Sequence, residues 1–168
     1  PVTCYLTHSL GEVADADEIP SFETVCTDKE AYGRAFLRQQ QETDGIRGKR
    51  LAQKHGASYV VVNPPSAPLN TREMDEVYAL PYTRKPHPSY TQHIPAIDEV
   101  SFSITSCRGC FGACSFCALT YHQGRTIQVR SHDSLLEEAE AITHQEGFKG
   151  YIPDGGGPTA NFRKPSCK

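Results

Sequence analysis

Apolar and polar positions change over in short runs along the first eighty residues, and most runs predict one element. Residues 2–6 are an apolar run of strand type, and the acidic stretch 12–23 has no period and reads as loop. Thr27 and Glu30 stand at capping-box spacing and predict a helix to about residue 43, with Tyr32, Ala35 and Phe36 on one face. Residues 49–53 and 58–62 flank His55-Gly56 as a β-hairpin, with 59–62 the more buried strand. Asn63-Pro64-Pro65 ends it, because proline has no N–H to give to a ladder. Asn70 and Glu73 form a second capping box, opening a short helix to about residue 79 that offers Met74, Val77 and Tyr78 for packing. Pro81, Pro86, Pro88 and Pro95 then hold an extended segment with Tyr82, Tyr90, His87 and His93, in which the histidines read as solvated.

The pattern changes after this linker. Val100, Phe102 and Ile104 alternate with Ser101, Ser103 and Thr105, a strand that delivers the chain into a cysteine-rich loop. Ser134 and Glu137 form a third capping box, Leu135, Leu136, Ala139 and Ile142 recur at helical spacing, and Glu137, Glu138 and Glu140 face water. Gly147 stops the helix, and residues 148–152 form a second strand running into Asp154-Gly155-Gly156-Gly157-Pro158. Strand, loop, helix and strand make a βαβ unit, with parallel strands and a right-handed crossover. The fold class is therefore α/β, preceded by an α+β appendage, with residues 1–95 as appendage and Pro-rich linker and 96–168 as working unit. Ligands of parallel sheets bind beyond the carboxyl ends of the strands, so the cysteine loop and the glycine loop are expected at one site.

Composition narrows the classes. The chain has 168 residues and a formal charge of −3, enough for one core, without the basic footprint of a nucleic-acid binder and without an apolar stretch of membrane-spanning length. Its seven cysteines are an odd number, and Cys4, Cys26 and Cys167 are isolated, so a disulfide framework is excluded and a reducing cytoplasm is expected. The first residue is Pro1 and the last, Lys168, follows soon after the glycine loop, as expected for a piece of a longer protein.

The other four cysteines read Cys107-Arg-Gly-Cys110-Phe-Gly-Ala-Cys114-Ser-Phe-Cys117. Thiolates this close repel unless a soft cation shares them, which means zinc, copper(I) or the irons of a cluster. Structural zinc sites draw ligands from two knuckles a dozen or more residues apart, and the ferredoxin run has a different order of spacings. Cys110, Cys114 and Cys117 taken as three would let one loop hold three irons of a [4Fe-4S] cube and leave the fourth open. A Cys4 site that includes Cys107 and holds zinc or a closed cluster, for structure or electron transfer, is the alternative. The three glycines allow close backbone approach to a ligand, and no Gly-Lys-Ser/Thr follows to make them a phosphate loop.

The three-cysteine spacing, with Phe116 before the last member, resembles the signature of the radical S-adenosylmethionine enzymes. Arg108 to Cys117, His122-Gln-Gly-Arg125, Ile127-Gln-Val-Arg-Ser131 and Gly156-Gly-Pro-Thr-Ala-Asn161 are similar to the YgiQ-type members, as are Asn63-Pro-Pro65 and Ala79-Leu-Pro-Tyr-Thr83. The resemblance implies a [4Fe-4S] cluster on Cys110, Cys114 and Cys117, with S-adenosylmethionine chelated to the open iron and cleaved to a 5′-deoxyadenosyl radical. It implies that Gly155, Gly156 and Gly157 bind the cofactor amine. Under it, Arg125 would pair with the cofactor carboxylate, His122 would hydrogen-bond cofactor or substrate, and Asp154 would orient the amine or ribose; holding the loop in shape is the other reading of His122 and Arg125. It implies the first two strands of a six-stranded partial (β/α) barrel, an electron donor such as flavodoxin or ferredoxin, and a substrate that these residues do not name. Family members generally lack a cysteine at position 107, which leaves Cys107 out of the ligand set, and carry a bulkier apolar residue at Gly155. They continue into a second cysteine-rich stretch, of which Cys167 would be the first member.

Overall fold

A computed structural model describes residues 3–13 and 15–158. It divides into two compact units, Pro1–Pro68 and Leu69–Lys168. This boundary falls before the linker and not at 95/96, because the capped helix after Asn70 packs within the second unit, where Asp75 accepts from the Ser131 N–H at 2.9 Å.

The first unit is a four-stranded sheet in the order β1-β4-β3-β2. Its strands are β1 (Cys4–Thr7), β2 (Ala16–Ile19), β3 (Arg50–His55) and β4 (Ser58–Val62). The hairpin β3–β4 forms as expected, β1 adds antiparallel to β4, and β2 adds parallel to β3. β2 lies in the acidic stretch expected as loop, where its polar residues conceal it: Asp17 accepts from Arg38, and Ile19 alone is fully buried. Helices α1 (Phe22–Thr27) and α2 (Lys29–Gln41) follow. α2 is capped by Asp28, whose carboxylate accepts from the N–H groups of Glu30 and Ala31, and not by Thr27, whose hydroxyl donates to the Glu23 carbonyl. Its inner face is Ala31 and Ala35, four apart and small enough to lie close to the sheet, while Tyr32 and Phe36 remain exposed. The sheet is buried on both sides, with Ile19, Ala35 and Leu51 in one cluster and Val13, Ala52 and Val61 in the other. Asn63 ties two strand ends together, accepting from the Arg50 guanidinium at 2.7 Å and donating to the Thr3 hydroxyl at 2.8 Å.

The second unit begins with α3 (Thr71–Tyr78). Its capping box is complete: the Asn70 side chain accepts from the Glu73 N–H at 3.0 Å, and the Glu73 carboxylate accepts from the Asn70 N–H at 2.8 Å. Replacing Asn70 with Ala should cost about 1 kcal/mol of stability; urea unfolding would measure it, and a loss below a few tenths would mean that water caps the helix equally well. Residues 95–100, read partly as strand, form the helix α4 (Pro95–Val100), with proline pre-organised at its first position. The alternation therefore yields only a short strand β5 (Ile104–Thr105). β6 (Cys107–Arg108) follows at once and pairs antiparallel with β7 (Gln128–Val129) across the cysteine loop and α5 (Leu119–Gln123).

The crossover helix is α6 (His132–Thr143), capped by Ser131, whose hydroxyl accepts from the Ser134 N–H. The expected cap at Ser134 lies inside it, and Gly147 lies beyond its end at Thr143. The returning strand is β8 (Gly155–Gly156), not 148–152, and it runs parallel to β5 with Ile104 opposite Gly155 and Thr105 opposite Gly156. The described residues are thus mixed α and β with three separate sheets. Among the described residues no helix is long and apolar enough to cross a membrane. Val2, the Thr159-Ala160-Asn161 end of the glycine motif and Cys167 lie outside the described residues.

Candidate functional site

β5 turns directly into β6, so the strand that pairs with the glycines also launches the cysteine loop. The Ser106 N–H donates to the Gly156 carbonyl at 2.7 Å and the Ile104 N–H donates to the Asp154 carbonyl at 2.9 Å. One residue beyond the glycine pairing, the chain is already at Cys107.

The loop is closed at its neck by the segment that returns from it. The Cys110 N–H donates to the Gly124 carbonyl at 3.0 Å, the Thr120 hydroxyl to the Cys110 carbonyl at 3.2 Å, and the Gly109 N–H to the Gln123 side chain at 3.1 Å. Gly109 is the tightest point: its φ is +91°, and a Cβ there would stand 2.3 Å from the Thr126 carbonyl oxygen. Only glycine meets both conditions.

The four cysteines of this stretch stand in different surroundings. Cys107 is fully buried and Cys110 nearly so, whereas Cys114 is exposed and Cys117 half-buried. Cys110 and Cys114 converge at Gly112, where an added Cβ would touch both sulfurs, at 3.4 and 3.6 Å. The missing side chain leaves room beside two thiols. Ala113 reaches this geometry with φ of +45°, a conformation uncommon outside glycine, and the Cys117 N–H turns back to the Cys114 carbonyl at 3.0 Å. Cys117 stands apart from the Gly112 gap, and among the described residues no three His, Cys, Asp or Glu side chains converge as a metal-holding group. Phe116, between Cys114 and Cys117, is 90% exposed.

Gly155 and Gly156, expected as loop, are strand residues, and a Cβ added at either would meet nothing within 4 Å. Asp154, His122 and Arg125 are exposed, and their side chains make no hydrogen bond or ion pair among the described residues. His122 belongs to α5, and Arg125 follows Gly124, the residue whose carbonyl holds Cys110.

A buried ionic cluster beneath the site escaped the sequence reading. Arg130, 2% exposed, donates to the Thr105 carbonyl at 3.0 Å, to the Ser134 carbonyl and hydroxyl at 2.8 Å, and to Glu138. Glu138 also accepts from Arg84, which donates to the Ser101 and Ser103 carbonyls at 3.0 and 3.1 Å. Glu138, expected to face water, is therefore the shared carboxylate of two arginines. The Arg130 guanidinium lies 4.3 Å from the centre of the Tyr78 ring. Burial lowers the pKa of both arginines from the ordinary range. Arginine starts so high that both stay charged at neutral pH. The one legible sign was the Val129-Arg130-Ser131 motif ahead of a helix bearing Ser134 and Glu138 at i and i+4.

A family profile described as Radical SAM N-terminal matches residues 1–103. A UPF0313 protein of Clostridium botulinum (strain 657 / Type Ba4) is 59% identical over 168 residues, covering 99% of this chain and 26% of that protein. The UPF0313 protein of C. botulinum strain Loch Maree / Type A3 is similar by the same figures. That of Clostridium perfringens strain ATCC 13124 is 54% identical over 171 residues, covering 100% of this chain and 26% of that protein. The chain thus spans about a quarter of the length of the curated relatives it matches. No solved structure matches it. With the profile covering more than half of the chain and the relatives nearly all of it, the chain belongs to the Radical SAM N-terminal family, within the YgiQ/UPF0313 group of radical S-adenosylmethionine proteins.

Proposed function

We propose that this chain carries the cluster-binding start of a radical S-adenosylmethionine enzyme, and that β5, α6 and β8 are the first βαβ unit of its partial (β/α) barrel. The observation that supports this most is the junction at Ser106, where one strand end bears both the cysteine loop and the hydrogen bond to Gly156.

Cys110, Cys114 and Cys117 would hold three irons of a [4Fe-4S] cluster. Gly112 keeps a side chain out of the space beside the Cys110 and Cys114 sulfurs. Drawing Cys117 toward it disturbs little, because Phe116 is almost free of contacts. Cys107 stays out of the ligand set: its side chain is sealed in the core beside β7. When bound, the cluster would supply the electron that cleaves the sulfonium of S-adenosylmethionine, giving the 5′-deoxyadenosyl radical that takes hydrogen from a substrate.

This chain's residues would bind and orient the cofactor. In a parallel ladder, alternate residues turn their N–H and C=O groups to opposite edges. With Asp154 and Gly156 turned toward β5, the carbonyls of Gly155 and Gly157 face the other edge and suit the cofactor amine. Arg125 offers a planar fork for the carboxylate, His122 a hydrogen bond from α5 and Asp154 an acceptor for the amine or ribose. A low-potential donor such as flavodoxin or ferredoxin would supply the electron, in a reducing cytoplasm.

The test is electron paramagnetic resonance of the dithionite-reduced protein after anaerobic reconstitution with iron and sulfide. A [4Fe-4S]⁺ signal that changes shape with S-adenosylmethionine is expected. Cys110→Ala, Cys114→Ala and Cys117→Ala should each lose most of the iron, and Cys107→Ala should keep it. One zinc per chain in place of iron, lost in Cys107→Ala, would overturn the reading in favour of a structural four-cysteine module.

A further inference from the structure

We propose that a cleft of the second unit, on the face of β5 turned toward Glu138 of α6, binds a small amphipathic carboxylate: a flat or aliphatic apolar body ending in one carboxylate group. The cleft holds about 510 Å³, within the range of small-molecule sites. Its apolar side is Leu69, with Met74, Val77 and Tyr78 of α3. Tyr82 joins them, its hydroxyl tied to the Val77 carbonyl at 3.0 Å.

Charge decides what such a body should carry. Among the described residues Glu138 is the only carboxylate lining the cleft, and two arginines already hold it. Arg84, the second charged group of the lining, is committed to Glu138 and two carbonyls. Arg108, the third charged group, is exposed and makes no side-chain hydrogen bond or ion pair among the described residues. The lining therefore carries one unmatched positive charge.

That charge sits beside further donors. Arg108 stands directly opposite Gln128 across β6 and β7, so the two side chains rise from the same face of the ribbon. The Gln128 amide oxygen accepts from the Leu69 N–H at 2.9 Å, which fixes the side chain and leaves its NH₂ group to donate. A guanidinium fork next to an amide NH₂ matches the two oxygens of a carboxylate. The proposal does not rest on the cluster, since none of the three cysteines assigned to it lines the cleft.

The probe is 4-phenylbutanoate, titrated into the full 168-residue chain and followed by the backbone amide signals of Arg108 and Gln128, with neutral 4-phenylbutanamide and inorganic phosphate as separate arms. Saturable binding of the carboxylate is expected, weaker by about tenfold or more for the neutral amide and for the Arg108→Gln chain, as the loss of a charge-assisted pair implies. Val77→Asp, which places a negative charge on the apolar side, should abolish it while circular dichroism stays unchanged. Binding indifferent to Arg108→Gln, equal binding of the amide, an equal response to phosphate alone, or no saturation at millimolar probe would each overturn the proposal.

Discussion

Replacing Arg130 with Ala should destabilise the second unit by about 3–5 kcal/mol, the range for breaking a buried ion pair from one side. All five guanidinium N–H groups find acceptors, at Ser134, Thr105 and Glu138, so the substitution strands several buried acceptors at once. The Thr105 carbonyl and the Ser134 hydroxyl lose their donors, and Glu138 is left to Arg84 alone. Arg130→Lys should recover little, because an ammonium cannot reproduce the planar fork. Hydrogen exchange would locate the damage: amides of α6 and of the β5–β8 pair should lose protection, and those of the β1–β4 sheet should keep it, since every partner named here lies between Tyr78 and Glu138. Combining Arg130→Ala with Glu138→Ala should cost less than the sum of the two, because neither charge is then left to the other's absence. A single-variant loss below about 1 kcal/mol, or a strictly additive pair, would show that water replaces the cluster at little cost.

Gly109→Ala should be the most damaging change of one methyl group in the cysteine loop. Two penalties coincide there. A φ of +91° strains any residue with a Cβ, and that Cβ would meet the Thr126 carbonyl oxygen at 2.3 Å, a backbone atom that moves only with the segment leading into β7. Together they should amount to about 2–4 kcal/mol. Gly150→Ala is the control: its φ is +88°, but a Cβ there would meet nothing within 4 Å, so it should show about 1 kcal/mol of strain alone. Because Gly109 holds the neck, iron uptake on reconstitution should fall in Gly109→Ala and not in Gly150→Ala. Equal losses of stability in the two variants would mean that the neck opens freely and the close approach has no consequence.

What the sequence made legible was whatever rests on local chemistry. The Asn70–Glu73 box, the hairpin around His55-Gly56 and the grouping of four thiols in one loop need only neighbours along the chain. The parallel pairing of the two βα elements is also readable, although the apolar run at 148–152 points to the wrong segment and the second strand lies at the glycines, which carry no β-propensity of their own and pair only because Ile104 and Ser106 present partners. Apolar periodicity misled where the inner face is polar. On α6 the inward stripe is Ser134, Glu138 and Ile142, spaced by four, and two of the three are hydrophilic because they serve Arg130. On α2 it is a pair of alanines, which the neighbouring aromatics outweigh in any hydropathy count. Arg84 joins its partner across more than fifty residues, a separation at which no local pattern speaks.

The closed neck of the cysteine loop bears on the order of folding. Cys110 and Gly124 are fourteen positions apart, and loops of about that length close in under a microsecond. β1 and β4 of the first unit must find each other from Cys4 to Val62, and non-local pairing of this kind is slow. The thiols of the loop should therefore be gathered before the amino-terminal sheet is complete. Pulse-labelled refolding would show the Cys110 amide protected ahead of β1.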